Sequence, residues 1–477
     1  MKLFNTLSRS KEEFIPISQG RVLFYHCGPT VYWTQHIGNL RGMMMGDLLR
    51  RSLEFCGYVV KHVRNYTDVG HLTSDSDTGE DKMEKGAKRE GMTPEKIAKK
   101  YIDIFESDTK ALNLLEPTFK PRATEYIAQM IDIISVLLEK GFAYTTDLAV
   151  YFDVTKFSTY TQLSHQQMDK IQEGAGKADV SDPRKIHAAD FALWFFKAGV
   201  HSNALQVWKS PFQSLLVRDG VGFPGWHIEC SAMSKALLGT TIDIHLGGVE
   251  HIPVHHTNEI AQSEGASGAP FVHYWLHNEH LLAGDKKMAK SEGTGFSLQE
   301  IIDRGYDPRV LRYFFLQAHY RSKQNFTWEA LEGAKKALQL LRNFVTSWKL
   351  NLNSENKIID KGKLYQEQFT DAISDDLNIP KALAVVWDMA KSELSDAEKL
   401  SLILDFDRVL GLGLVDWKQK EIPEKIMKLI EKRNTLRKEK KFDESDVIRK
   451  QIEDAGYSVS DTPISSESSS LRHSYFF

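Results

Sequence analysis

A strand, a helix and a second strand follow one another between residues 22 and 64, and no other feature constrains the fold as strongly. Val22 to Cys27 is an apolar run typical of a buried strand. Apolar side chains then recur at helical spacing up to Gly57, which favours a helix end. Tyr58 to Arg64 alternates as a strand does. Since parallel strands need such a crossover, the segment predicts an α/β fold with a Rossmann-like, doubly wound parallel sheet.

The remaining sequence predicts further domains where its pattern changes. A segment from Pro121 resembles an insertion within the nucleotide-binding domain, and the chain beyond Pro308 becomes almost wholly helical. The serine-rich C-terminus is expected to be disordered. The expected parts are the first half of a catalytic domain (1–120), an insertion (121–220), the second half (221–280), a loop with linking helices (281–330), a helical bundle (331–420), a C-terminal helical region (421–463) and the tail (464–477).

The composition is that of an ordinary globular protein. The 477 residues are 42% hydrophobic with a net charge of −3, so a nucleic-acid partner would need a local basic surface. The N-terminus lacks the apolar segment of a secretory signal, and no apolar stretch approaches the ~20 residues that span a bilayer. Three scattered cysteines are too few for a disulfide framework. These features predict a cytoplasmic protein without a membrane partner.

Two short motifs, about 250 residues apart, suggest a phosphate-binding site. His36-Ile-Gly-Asn39 falls where the first helix begins, and a helix N-terminus attracts anions. Lys287-Met-Ala-Lys290-Ser lies on a glycine-flanked loop, and its lysines could neutralise a leaving pyrophosphate. Taken singly, His36 could be a helix cap and the lysines could be solvated loop residues. Their order along the chain favours two sides of an ATP site.

A third group of residues has the chemistry of a metal site. Cys27 ends the first strand, Cys230 lies in a later segment, and His255 and Glu259 would share one face of a helix. Two thiolates, an imidazole and a carboxylate suit tetrahedral Zn²⁺. Scattered cysteines are more often small core residues, so spacing alone leaves that alternative open. His256 is the main rival to His255.

The motifs resemble the HIGH and KMSKS signatures of class I aminoacyl-tRNA synthetases. Asn39 stands for the second histidine, and Ala289 for the middle serine, which removes one possible hydroxyl contact. Within the class, residues 1 to about 463 closely resemble the cysteinyl-tRNA synthetases. The segments that carry this resemblance are Cys27–Tyr32, Pro121–Glu125, Asp190–Trp194, Gly225–Met233, His255–Ser263, His319–Ser322 and Phe406–Gly411.

The resemblance implies a monomeric enzyme that activates L-cysteine with ATP and Mg²⁺. It would then transfer the cysteinyl group to the 3′-terminal adenosine of tRNA(Cys). Alignment and charge stabilisation would drive both steps, without a nucleophilic side chain. The catalytic residues implied are His36, Asn39, Lys287 and Lys290, and these bind ATP together with Gly38.

The resemblance also implies one zinc ion that recognises the substrate thiol. Zn²⁺ binds thiolate far better than hydroxyl, so serine would be rejected without proofreading. Trp226, Thr67 and Asp68 would contact the amino acid; a core tryptophan and strand-end capping are the alternatives. His227 and His245 are polar neighbours without an assigned role. The zinc ligands implied are Cys27, Cys230, His255 and Glu259.

Some positions depart from the family pattern. An insertion follows Asp68, residues 199–220 are longer than usual, and Glu250 and Val254 replace an aspartate and a proline. Glu250 could substitute for a contact with adenosine, although its side chain is one methylene longer.

The C-terminal region carries a local excess of positive charge. Residues 425–450 contain ten Lys or Arg and five Asp or Glu, at helical spacing. A solvated helical face is the alternative, but the resemblance implies that residues 421–463 contact the anticodon end of tRNA. This region argues against a ligase with a small-amine acceptor, as in mycothiol synthesis. The intact motifs argue against a non-catalytic paralogue that binds tRNA or senses thiols.

Overall fold

The structure is a computed structural model that describes residues 1–70, 82–168, 182–284, 286–288, 295–352, 362–417, 423–455, 458–459 and 475–476. The chain divides into two compact units, a catalytic unit (1–327 with 368–383) and a helical unit (328–367 with 384–477). None of the helices that the structure describes is long and apolar enough to cross a membrane. Of the expected tail, only 475–476 are described.

The strands and helices are numbered in chain order. The strands are β1 (Lys2–Asn5), β2 (Ser10–Glu13), β3 (Arg21–His26), β4 (Val59–Arg64), β5 (Ala143–Thr145), β6 (Ala149–Phe152), β7 (Phe191–Phe196), β8 (Trp208–Lys209), β9 (Val221–Pro224), β10 (Ile242–Gly248), β11 (Val272–Asn278), β12 (Leu281–Ala283), β13 (Lys286–Lys287), β14 (Gln324–Phe326), β15 (Ser458–Val459) and β16 (Tyr475–Phe476). The helices are α1 (Ile37–Phe55), α2 (Lys82–Glu90), α3 (Pro94–Ala111), α4 (Ile127–Glu139), α5 (Trp226–Leu238), α6 (His255–Ser267), α7 (Leu298–Asp303), α8 (Pro308–Leu316), α9 (Trp328–Leu350), α10 (Lys363–Ser374), α11 (Ile379–Lys391), α12 (Asp396–Leu410), α13 (Glu424–Lys438) and α14 (Phe442–Asp454).

A four-stranded parallel sheet forms the centre of the catalytic unit. Its order is β11-β10-β3-β4, with every neighbouring pair parallel. The crossover through α1 leads outward from β3 to β4, and the one through α6 leads outward from β10 to β11. The strand order therefore reverses between β3 and β10, where open α/β sheets form a crevice at their carboxyl ends. The predicted doubly wound sheet is confirmed.

The insertion forms a separate antiparallel sheet. Its order is β5-β6-β7-β9-β8, and all four pairings are antiparallel. Strand β9 lies just beyond residue 220, where the insertion is expected to end. A short strand has the same sequence pattern in either sheet, so its partners cannot be assigned from sequence. After β9 the chain enters α5, which packs beneath the parallel sheet through Ile228, Ala232 and Met233.

The helical unit contains the C-terminal helices. Within it, α9 packs against α12, and α13 packs against α14. The α13–α14 pair has its own apolar core, which consists of Ile426, Ile430, Leu436, Ile448 and Ile452. The fold class expected from the sequence, an α/β domain followed by C-terminal helices, is confirmed.

Candidate functional site

A cavity of about 690 Å³ opens at the carboxyl ends of β3 and β10. Cys27, directly after β3, lines one part of it, and His36 and Asn39, at the start of α1, line another. Gly247 and Gly248 at the end of β10 lie between these parts in the same lining. The crevice at the reversal of strand order thus brings together two groups of residues that the sequence singled out separately.

Four side chains meet at the base of this cavity. The sulfur atoms of Cys27 and Cys230 are 3.9 Å apart, and His255 Nε2 lies 3.1 Å from Glu259 Oε1. One potential ligand atom from each residue lies within 4.8 Å of all the others, and all four residues are buried. Helix α6 supplies the histidine and the glutamate from one face, as the i, i+4 spacing predicts.

Two further histidines contact the same cysteine. His245 Nε2 and His256 Nε2 lie 3.3 Å and 3.4 Å from the sulfur of Cys27. With Cys27 and Glu259 they make a second set of four potential ligands within 4.8 Å. His256 Nδ1 is 2.7 Å from His277 Nε2, so His256 bridges two side chains. A neutral His256 that donates from Nε2 to a thiolate would accept from His277 at Nδ1.

His255 has different neighbours. Its Nδ1 lies 3.0 Å from His227 Nδ1, and its ring stacks on Trp226 with centroids 4.1 Å apart. The stacking leaves Nε2 directed at Glu259. Of the two adjacent histidines, His255 therefore presents a nitrogen to both Cys230 and Glu259, whereas His256 supports Cys27.

The electrostatics of the cluster suit a bound cation. Burial raises the pKa of the Cys27 thiol well above its usual value, and burial likewise raises the pKa of the Glu259 carboxyl. The hydrogen bond from Cys27 lowers the pKa of Cys230 to about 7. Glu259 Oε2 is buried and has no hydrogen-bond partner among the described residues. A divalent cation would stabilise the three potential anions together, and the two-sulfur, one-nitrogen, one-oxygen donor set fits zinc. The cluster is a possible metal site.

The first motif forms a capped helix N-terminus. His36 Nδ1 accepts a hydrogen bond from the backbone N–H of Asn39 at 3.2 Å, and the Asn39 side chain accepts from the backbone N–H of His36 at 3.4 Å. The capping alternative for His36 is therefore what the structure has. Capping also fixes the tautomer, since a neutral ring that accepts at Nδ1 carries its proton on Nε2. Helix cap and anion donor are compatible roles.

The second motif lies beside the first. Lys287 is in β13, which pairs with β12, and buried Met288 lines the cavity. On the far side of the motif, the carbonyl of Phe296 accepts from the backbone N–H of Ile37 at 2.8 Å. Ala289, Lys290 and Ser291 lie outside the described residues, as does the side chain of Lys287. The flank at Phe296 thus contacts the N-terminus of α1, and the flank at Met288 lines the same cavity.

Trp226 and Thr67 also line the cavity. Thr67 is 2% exposed, and its hydroxyl donates to Glu229 Oε2 at 2.7 Å. Asp68 accepts from both the backbone N–H and the hydroxyl of Thr124, so its carboxylate holds the turn that contains Thr124. Glu250 also lines the cavity, with Oε2 3.5 Å from His280 Nδ1.

Sequence reasoning missed several residues of this site. Asn65 Oδ1 accepts from the backbone N–H of Gly28 at 2.8 Å and so joins the ends of β3 and β4. Glu229 is fully buried beside Cys230, and burial raises the pKa of its carboxyl well above the usual value. His277 contacts His256 at the edge of the cluster. A strand-end position was the signal available for Asn65 and His277, but it does not identify their partners.

Known families match most of the chain. The family described as tRNA synthetases class I (C) catalytic domain matches residues 13–336, and the DALR domain matches residues 368–394. The chain is 45% identical over 470 residues to cysteine–tRNA ligase 1 of Burkholderia lata, covering 97% of this chain and 95% of that protein. It is 40% identical over 490 residues to the cysteine–tRNA ligase of Treponema denticola, covering 97% and 98%.

Solved structures agree on the fold. Methionyl-tRNA synthetase of Mycobacterium tuberculosis, in complex with methionyl-adenylate, aligns with a TM-score of 0.56 and 13% identity. The alignment covers 83% of this chain and 89% of that chain. At this identity the likeness concerns the fold alone.

Proposed function

Because the chain belongs to the cysteine–tRNA ligase family of class I tRNA synthetases, we propose that it joins L-cysteine to tRNA(Cys) at the expense of ATP. In the first step the cysteine carboxylate attacks the α-phosphorus of ATP, and pyrophosphate leaves. In the second, the 2′ or 3′ hydroxyl of the terminal tRNA adenosine attacks the carbonyl carbon, and AMP leaves. The product serves protein synthesis in the cytoplasm.

The cavity supports this reaction through the N-terminus of α1. The positive end of the helix dipole and the Nε2–H of His36 attract phosphate oxygens. Gly38 and Asn39 lie in the first turn of α1, with Asn39 fixed by the cap. Lys287 and Lys290 neutralise the pyrophosphate as it separates, and Mg²⁺ accompanies the ATP.

Cys27, Cys230, His255 and Glu259 would hold one zinc ion. When bound, zinc would supply a Lewis acid that prefers thiolate to hydroxyl and so favours cysteine over serine. The protein fixes the ligands from outside: Trp226 stacks on His255, while His245 and His256 contact Cys27. Such contacts set ring orientation and keep the thiolate charged.

Thr67 contributes to binding of the amino acid. Because its proton is committed to Glu229, the hydroxyl oxygen can only accept a further hydrogen bond. The ammonium group of cysteine is the matching donor. This arrangement would place the substrate between Thr67, Trp226 and the metal.

The helical unit supplies contacts to the tRNA. We assign the anticodon end to the region of α13 and α14, where exposed lysines such as Lys425, Lys428 and Lys432 lie outside the apolar core of the helix pair. A ligase with a small-amine acceptor would have no use for this surface, and a tRNA-binding protein without catalysis would have no use for the cavity.

The observation that carries the proposal is the shared cavity, in which the possible metal site and the capped helix N-terminus face one substrate-sized volume. The test is cysteine-dependent ATP–pyrophosphate exchange, with serine as competitor, zinc analysis and subsequent charging of tRNA(Cys). We expect exchange with cysteine, none with serine, and about one zinc per chain. No exchange by zinc-replete protein would refute the enzyme assignment.

Cys230→Ser tests the metal assignment on the same assays. It should lower zinc content and exchange together, because serine removes a soft ligand. Cys56→Ser is the matched control, since Cys56 contacts Ser374 at 3.5 Å and belongs to neither set of potential ligands. Equal zinc content in both variants would exclude Cys230 as a ligand.

A further inference from the structure

An aromatic side chain stands beside the first motif without a part in the chemistry described so far. Trp33 lines the cavity, yet 38% of its surface is exposed. Large aromatic side chains are usually well buried, and exposed ones in nucleic-acid-binding proteins serve as stacking surfaces for bases. Its position three residues before His36 places it at the solvent side of the ATP region.

The backbone that carries Trp33 is held from several directions. Val31 donates from its N–H to the carbonyl of Thr67 at 3.1 Å. The Gln35 side chain donates to the carbonyls of Thr30 and Trp33 at 3.2 Å and 3.3 Å. A loop fixed at both ends presents its exposed ring at low entropic cost, as a binding surface requires.

One face of the ring is backed by a cation. The guanidinium carbon of Arg89 lies 3.5 Å from the centre of the Trp33 ring. Arg89 also donates to the carbonyl of Tyr32 at 3.0 Å and to Glu90 Oε1 at 2.8 Å. Hydrogen bonds from Arg89, Lys100 and Tyr101 lower the pKa of Glu90 to about 2, so the anchoring carboxylate stays ionised. The arginine is thereby fixed as a support for the indole.

We propose that Trp33, supported by Arg89, is a stacking platform for a nucleobase at the solvent side of the cavity. The inference rests on the proposed function, which brings two sources of nucleobase to this cavity: the single-stranded 3′ end of tRNA and the adenine of ATP. The exposure of the ring favours the tRNA end, because that strand must enter from solvent.

The experiment compares Trp33→Ala with Trp33→Phe, which keeps an aromatic face. Loss of one base stack corresponds to roughly a 5- to 100-fold weakening. For the tRNA end, Trp33→Ala raises the KM for tRNA in charging by this factor and leaves the KM for ATP in exchange unchanged. If the ring instead stacks on the adenine of ATP, Trp33→Ala raises the KM for ATP in exchange. Trp33→Phe retains most of the affinity, and Arg89→Gln weakens it by roughly 2- to 5-fold through the lost cation–π contact.

Binding of tRNA that lacks its 3′-terminal CCA distinguishes stacking from a general structural role. If Trp33 stacks on the strand end, Trp33→Ala weakens the binding of intact tRNA and leaves the binding of trimmed tRNA unchanged. Unchanged KM values for both substrates, or equal weakening of intact and trimmed tRNA with unchanged ATP use, overturn the proposal. Zinc content and the KM for cysteine report whether the variants keep the site. Failure of the wild-type protein in exchange would instead refute the proposed function itself.

Discussion

At the scale of single residues, the adjacent histidines His255 and His256 illustrate how neighbours on a helix acquire different tasks. We expect His255→Ala to remove most of the zinc proposed for this site, because it would delete one of the four proposed ligands. His256→Ala should weaken zinc binding by roughly 10- to 100-fold, the usual effect of losing a partner of a ligand. Zinc titration against a chelator measures both. If His256→Ala binds zinc more weakly than His255→Ala does, His256 is the ligand and His255 is its partner.

Lys290 gives a second test at this scale. Lys290→Ala should slow adenylate formation by ~10²–10³, because a preorganised charge on the leaving pyrophosphate is lost. Single-turnover formation of cysteinyl-adenylate is the measurement, and Lys290→Arg, which keeps the charge, should retain more of the rate. A normal rate for the alanine variant would remove Lys290 from the mechanism. The KM for cysteine should change little in either variant.

The sequence identified some residues of the site but not their partners in space. Cys27, Cys230 and the pair on α6 could be named because each stands in a recognisable segment with donor chemistry. The partner of His256 could not, since the 2.7 Å contact with His277 depends on the register of β11 against β10. Likewise, Trp33 resembles any loop aromatic until Arg89, far along the chain, is seen to cover its face. Partners across elements require the tertiary structure.

At the scale of elements, the close approach of β3 and β4 depends on one glycine. A Cβ at Gly28 would lie 1.7 Å from the carbonyl oxygen of Asn65, so alanine must force the strand ends apart. We expect Gly28→Ala to lower the free energy of unfolding by about 1–3 kcal/mol. It should also slow ATP–pyrophosphate exchange, because a shift of residue 28 displaces the adjacent Cys27. Gly333→Ala, in α9 with no atom near the added methyl group, should instead stabilise by about 0.5–1 kcal/mol. Urea unfolding and ATP–pyrophosphate exchange, measured on both variants, test these opposite expectations.

A buried ion pair ties α1 to α8. Asp47 Oδ2 lies 2.6 Å from Arg312, whose side chain is 0% exposed, and 2.9 Å from Arg51. Burial alone would raise the pKa of Asp47, but the two guanidinium groups outweigh it and lower that pKa. Asp47→Asn should therefore cost about 3–5 kcal/mol at neutral pH, since Arg312 is left without its counter-charge. The exposed pair Lys99–Asp103 provides the control, because Asp103→Asn should cost at most about 1 kcal/mol.

The same pair predicts the direction of a pH effect. Because the folded state lowers the pKa of Asp47, its contribution is fully present above the unfolded value of about 3.9 and is lost as pH falls through the folded-state pKa. Thermal melts of wild type and Asp47→Asn should thus converge at acid pH. A difference that stays unchanged at every pH below the unfolded value would mean that the variant acts through packing rather than charge.

Among elements, periodic segments were the easiest to predict. Helix α1 and strands β3 and β4 lie close to where their patterns place them. The segment after Pro121 begins with a 3₁₀ turn (Ala123–Tyr126) before α4, a change of helix type that the residue pattern does not indicate. Hydrogen bonds between Asp68 and Thr124 hold that turn, so a tertiary contact overrides the local pattern.

At the scale of the whole molecule, the two units carry different chemistry. All cavity-lining residues belong to the catalytic unit, while the basic helices α13 and α14 belong to the helical unit. The net charge of −3 conceals this asymmetry, since residues 425–450 alone carry ten basic and five acidic side chains. Changes in the helical unit should therefore affect the use of tRNA without affecting the activation of cysteine.

Neutralising three exposed lysines of α13 tests that separation. In Lys425→Gln/Lys428→Gln/Lys432→Gln, each lost phosphate contact should reduce the slope of log affinity for tRNA against log salt by roughly 0.7–0.9. The KM for tRNA in charging should rise roughly tenfold or more at low salt, and the difference from wild type should shrink as salt increases. ATP–pyrophosphate exchange should stay unchanged, because its substrates bind in the catalytic unit.

Lys99→Gln is the matched control, since it removes a charge that is 70% exposed from α3 of the catalytic unit. If the triple variant and this control have the same salt slope, the lysines of α13 form an ordinary solvated face. If exchange falls together with charging, the helices support the catalytic unit rather than bind RNA. The basic helices are assigned to phosphate contacts only if the loss is confined to the use of tRNA and is largest at low salt. Counterion release gives phosphate contacts this salt dependence, which structural contacts lack.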